Sequence, residues 1–168
     1  MSLLLLTAAA DARAKARGAK QELTSIVIDA DTGSVISEFK ADAPHYPASL
    51  TKMMTLYLIF EALEKHRIRP ETEFTVSAHA AGMSPTKLGL QAGETIAIRD
   101  IILGLVTQSA NDAAVVASEG LAGSEELFAQ RMNAKARALG MSRTEFYNAS
   151  LIRELWHFQR RVQSGLRK

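Results

Sequence analysis

The chain of 168 residues contains no cysteine. That excludes disulfide bridges and thiolate metal sites, although it fits an exported and a cytoplasmic protein equally well. It has no marked excess of charge either. Lys and Arg number 20 against 18 Asp and Glu, a net charge of +2, which argues against dedicated nucleic-acid binding. No apolar run approaches the ~20 residues needed to span a bilayer. The four histidines, His45, His66, His79 and His157, show no ligand-like spacing, so no metal site is expected from them. Internal repeats and low-complexity linkers are also missing. With 47% hydrophobic residues and this length, what remains is one ordinary domain able to build a core.

Three segments are distinguished along the chain. Residues 1–20 carry a short apolar run, Leu3–Leu6 with Thr7-Ala8-Ala9-Ala10, then small-x-small triplets such as Ala10-Asp11-Ala12. This looks like the end of a secretory leader, but no Lys or Arg precedes the run, and an Ala-rich helix start is the alternative. Residues 21–150 form the body. Within it, Thr24–Ala30 and Ser34–Phe39 read as two strands joined by the turn Asp31-Thr32-Gly33, a β-hairpin. The same triplet could pass for the D-T-G of an aspartic protease, but that chemistry needs a second carboxylate, and a turn explains it better. Short strands are expected near Phe74–Val76 and Lys87–Leu90. Helices are expected over Leu50–Leu63, Arg99–Val106 and Asp112–Leu121, and from the cap Ser124 to the terminator Gly140. In the last of these, Leu127, Phe128, Met132 and Leu139 are expected to face the core. Residues 151–168 form a distinct tail with five basic residues, one acidic residue and the chain's single Trp.

The most informative run is Pro47-Ala48-Ser49-Leu50-Thr51-Lys52, where a polar loop meets a strongly apolar segment. Ser49 and Lys52 stand at i and i+3, one helical turn apart on the same face. A serine needs an adjacent base to act as a nucleophile, and a lysine can be that base where burial keeps it neutral. The helix that follows is apolar nearly all round (Met53, Met54, Leu56, Tyr57, Leu58, Ile59, Phe60), so burial is expected. Ser49 at its N-terminus is favourable for a developing oxyanion and is also a candidate N-cap. A second motif, Ser109-Ala110-Asn111, follows in a polar break between two apolar helical stretches.

Pairing S-x-x-K with a later S-x-N triplet is a signature of penicillin-binding proteins and serine β-lactamases. The flanking segments SIVIDADTGSVISEFKADAPHYPASLTKMMTLYLIFEAL and GLVTQSANDAAVVASEGLAGSEELFAQRMNAKARALGM resemble the D-alanyl-D-alanine carboxypeptidase family, the low-molecular-mass penicillin-binding proteins. The resemblance covers roughly residues 22–150. It implies an α+β fold of the β-lactamase/transpeptidase type, with Ser49 as nucleophile and Lys52 as general base. Ser109 would relay the proton to the leaving amine, and Asn111 would hold the substrate amide and orient Lys52. The implied substrate is the D-alanyl-D-alanine end of a peptidoglycan pentapeptide, with β-lactams acylating the same serine, and no metal or organic cofactor is implied. A periplasmic or other extracytoplasmic location goes with that substrate. Glu145 sits near where a class A β-lactamase carries its deacylating glutamate, but Phe146-Tyr147-Asn148-Ala149-Ser150 fits the carboxypeptidase pattern instead.

The chain departs from that pattern in two ways. No Lys/His-Thr/Ser-Gly triplet follows Asn111, although the family's third motif lines the substrate cleft from a strand. The resemblance also stops after Ser150, so an incomplete domain is expected: the N-terminal hairpin plus the helical subdomain, with the later sheet strands missing. Exposed apolar surface on the nucleophile helix, low stability and self-association are then expected. The tail 151–168 carries an apolar stripe at 151, 155, 158, 162 and 166. It reads either as a membrane-surface helix or, preferably, as an arbitrary Arg-rich sequence from a shifted frame. Three functions remain open: a serine carboxypeptidase, a non-catalytic homologue that binds cell-wall peptide or a protein partner, or a membrane-associating fragment led by the basic tail.

Overall fold

The computed structural model describes residues 23–43 and 48–150. The leader-like segment, His45, and the basic tail with His157 lie outside the described residues.

Strands β1 (Ser25–Ile28) and β2 (Val35–Phe39) form the expected antiparallel hairpin, pairing Ser25 with Phe39 and Val27 with Ser37. The Asp29 carboxylate closes the turn by accepting from the Thr32 N–H at 2.7 Å and the Thr32 hydroxyl at 2.6 Å. Those bonds, the Thr32 side chain first, hold the Asp29 carboxyl below its usual range. Gly33 supplies the positive φ of 70° that the turn requires. The Asp31-Thr32-Gly33 triplet is thus ordinary turn chemistry.

A 3-10 turn, Ala48–Leu50, runs into helix α1 (Thr51–Glu64). Strand β3 (Glu73–Thr75) pairs antiparallel with β4 (Thr95–Ala97), and a single helical turn α2 (Ala78–Ala81), capped by the Ser77 hydroxyl, lies between them. Helices α3 (Ile98–Gln108), α4 (Asn111–Ala122) and α5 (Glu125–Ala138) complete the described body. The architecture is α+β, a hairpin followed by a helical region.

Helix α4 is the centre of the core. Its run Ala113–Ala117 is fully buried, and such small residues let neighbouring helices approach closely. Gly120 extends that logic, since any side chain there would run into the Phe74 ring. Helices α1, α2, α3 and α5 all pack on α4.

Three expectations need correction. Lys87–Leu90 is not a strand: the N–H groups of Leu88, Gly89 and Leu90 donate to the Asp112 carboxylate at 2.9, 2.8 and 3.1 Å. A ladder partner is therefore not needed, and the segment wraps as a loop. The strand opposite β3 is instead Thr95–Ala97. Leu127 is exposed, because the buried stripe of α5 runs through Phe128, Met132 and Ala136 at i+4 spacing. Helix α1 is buried on one side only. Leu50, Met53 (62% exposed), Tyr57 and Phe60 (51% exposed) form an outward stripe, because α3, α4 and α5 pack against its other side; all-round burial is thus corrected, and the exposed apolar surface expected on this helix is present.

Candidate active site

Ser49 lies in the 3-10 turn and is exposed. Leu50 already has helical dihedrals (φ −65°, ψ −21°), so turn and helix are continuous and Ser49 precedes Lys52 by three residues of helical chain. Leu50, not Ser49, is the N-cap position, and it makes no side-chain cap hydrogen bond. The serine hydroxyl is therefore not consumed in a structural cap.

Lys52 is 3% exposed, and its amine donates to the Ser150 carbonyl at 2.7 Å. Burial lowers its pKa from the ordinary 10.5 to about 8. At pH 7 about a tenth of the amines are then neutral, roughly 300-fold more than for an exposed lysine.

One turn on, Thr55 is fully buried and its hydroxyl donates to the Ala149 carbonyl at 2.8 Å. Adjacent carbonyls of one segment are thus held by two side chains of one α1 face. The segment is secured from α5. The Ala149 N–H donates to Glu125 Oε1 at 2.9 Å, and Asn133 exchanges two hydrogen bonds with the Phe146 backbone, each 2.7 Å.

Ser109 joins α3 to α4 in the left-handed conformation (φ 54°, ψ 40°), a geometry that costs a non-glycine residue about 1–2 kcal/mol. Asn111 opens α4. Its N–H donates to the Thr86 carbonyl at 2.8 Å and its Nδ2 to the Ser84 carbonyl at 2.9 Å. The Thr86 hydroxyl returns a bond to the Ser109 carbonyl at 3.1 Å. With Asp112 holding 88–90, residues 84–90 are laced to this motif. Among the described residues the buried side-chain oxygens without a hydrogen-bond partner are Ser109 Oγ, Asn111 Oδ1 and Thr144 Oγ1. Two of the three belong to the S-x-N motif. Unpaired buried polar atoms are costly, so these two oxygens are the ones left to accept a further hydrogen bond.

Helix α1 packs against both α3 and α4, the helices that meet at Ser109. The amine of Lys52, however, is bonded to Ser150 rather than to Ser49, Ser109 or Asn111. Glu145 is exposed, and His79 is an exposed partner of Glu125 at 3.1 Å. A cavity of about 690 Å³ opens at the other end of α1, between Leu58, Ile68, Leu121 and Phe128. In its wall Glu61 binds Lys65 and Lys135, both at 2.7 Å.

Sequence reasoning missed Thr55, Asp112 and the 149–150 carbonyls. Thr55 had a signal, a hydroxyl three residues after Lys52 on the same face. Asp112 had another, a lone acid at the head of an Ala/Val-rich helix.

Comparison with known proteins gives concordant results. A family model described as D-alanyl-D-alanine carboxypeptidase matches residues 10–153. D-alanyl-D-alanine carboxypeptidase DacF of Bacillus subtilis (strain 168) is 36% identical over 164 residues, covering 94% of this chain and 42% of that protein. The crystal structure of D-alanyl-D-alanine carboxypeptidase DacD from Francisella tularensis superposes with a TM-score of 0.79 at 28% identity, over 86% of this chain and 37% of that one. Penicillin binding protein 6B from Escherichia coli superposes at 0.74 with 29% identity, over 87% and 49% respectively. The chain thus spans less than half the length of each of these relatives.

Proposed function

The chain belongs to the D-alanyl-D-alanine carboxypeptidase family, and from that membership we propose that it carries the nucleophile half of a serine acyl-transfer site acting on peptidoglycan stem peptides. The observation that carries this reading is the buried, desolvated Lys52 one turn after an exposed serine.

In this reading the neutral Lys52 amine takes the proton of Ser49 as its Oγ attacks the carbonyl of the penultimate D-alanine. The Ser49 N–H donates to the oxyanion that forms. Ser109 passes a proton to the leaving nitrogen, the C–N bond breaks, and terminal D-alanine departs. Water then hydrolyses the acyl-serine. Asn111 Nδ2 is engaged by Ser84, which leaves its Oδ1 as the atom suited to a substrate amide N–H. A β-lactam would open on the same serine, and a cell-envelope location follows from the substrate.

A second reading, binding of wall peptide or a protein partner without turnover, is favoured by the Lys52 amine, which donates to the Ser150 carbonyl and not to Ser49. Self-association through the outward stripe of α1 belongs to either reading. Labelling with a fluorescent penicillin separates the two. A covalent adduct lost in Ser49→Ala supports acyl transfer, and a folded protein that takes no label supports binding alone.

A further inference from the structure

Taking Lys52 as the base of the proposed reaction, we infer that Thr55 and Glu125 are positioning residues that clamp the Ala149 peptide from both sides and so fix the carbonyl that holds the Lys52 amine. The clamp is made of four bonds in series. Exposed His79 meets Glu125 Oε2 at 3.1 Å, and Glu125 Oε1 accepts from the Ala149 N–H at 2.9 Å. The Ala149 carbonyl accepts from the Thr55 hydroxyl at 2.8 Å, and the next carbonyl, Ser150, accepts from Lys52 Nζ at 2.7 Å. The segment carrying these carbonyls has no regular secondary structure, so no ladder or helix fixes its peptide planes. Its orientation depends on side chains from α1 and α5, which are rigid elements, and on Asn148 within the segment, whose Oδ1 accepts from the Ser150 N–H at 3.3 Å.

The geometry explains why a threonine occupies a fully buried place on α1. A Val of nearly the same shape would fill the volume but leave the Ala149 carbonyl unpaired. It also explains the position of Glu125 at the first residue of α5, where the helix dipole already favours a carboxylate. Neither residue touches the reacting atoms, and both act through the backbone of residues 149 and 150.

The test compares Thr55→Val and Glu125→Ala with the bond-preserving Thr55→Ser and Glu125→Gln. Two properties are measured across pH: the rate of penicillin acylation, and modification of Lys52 by acetic anhydride relative to exposed Lys65, read by mass spectrometry. Expected is a shift of about half a pH unit or more in the acylation midpoint and a roughly threefold or greater change in Lys52 modification for Thr55→Val and Glu125→Ala. Thr55→Ser and Glu125→Gln stay close to the parent chain. Variants that merely melt earlier while both pH profiles stay in place overturn the inference. If the parent chain takes no penicillin, the acyl-transfer reading fails, and the Lys52 modification profile alone decides for or against the clamp.

Discussion

At the scale of single residues, Lys52 sets a conflict between stability and chemistry. Burial disfavours its charged form, so its pKa in the folded chain lies near 8 against 10.5 for a free side chain. Between those values the unfolded chain binds more protons than the folded one, so folding stability rises with pH from about 8 to about 10.5. The penalty is fully present below that window. Lys52→Met removes the penalty but leaves the Ser150 carbonyl without its donor, and the expected net gain at pH 7 is about 1–2 kcal/mol. Chemical denaturation checks this. A variant less stable than the parent chain would mean that the charge is well solvated in the fold. The same protonation governs the proposed reaction, so acylation by penicillin should climb with pH up to about 8 and then level off. The Ser49–Lys52 spacing was legible because helical periodicity is local. The acceptor for the amine was not, since a backbone carbonyl 98 residues away has no residue-type signature.

Among the elements, helices were read more reliably than strands, and the reason is physical. Caps and apolar spacing are local signals, as Ser124 accepting from the Leu127 N–H illustrates. Strand identity needs a partner. The alternation Lys87-Leu88-Gly89-Leu90 looked extended, but a buried carboxylate in α4 took its N–H groups. Helix α1 is a mixed case: apolar content predicts burial, yet tertiary packing covers only the side with Met54, Thr55 and Ile59 and leaves the apolar surface also expected there. Its outward stripe, Leu50, Met53, Tyr57 and Phe60, has the 3-4-3 spacing of a contact seam. Replacing Met53 and Phe60 by Gln should therefore reduce concentration-dependent association in sedimentation velocity, while stability changes by no more than about 0.5 kcal/mol per site. Association unchanged in the double variant would move its cause away from α1.

Taken whole, the molecule has two parts of unequal support. The helical body shares one core, from Met54 and Ile59 of α1 through α4 to Phe128, Met132 and Phe146. Among the described residues, no hairpin side chain belongs to that core. Among the described residues β1 and β2 pair only with each other, and Val27, Ile36 and Phe39 are exposed. A two-stranded hairpin without a packed face is marginal in water. Its backbone bonds should open locally, without the free energy of unfolding the body. In hydrogen exchange, the amides of 25–28 and 35–39 are expected to exchange orders of magnitude faster than those of 113–118 in α4. Equal protection in both would mean that the hairpin is held by surface packing as extensive as that of the core. The site depends little on this outcome. Lys52, Thr55, Glu125 and Asn133 all stand on helices of the body, and they bond the backbone of 146–150 directly. A chain whose hairpin exchanges freely should thus keep the slow exchange of the Ala149 amide, because Glu125 holds it from within the body.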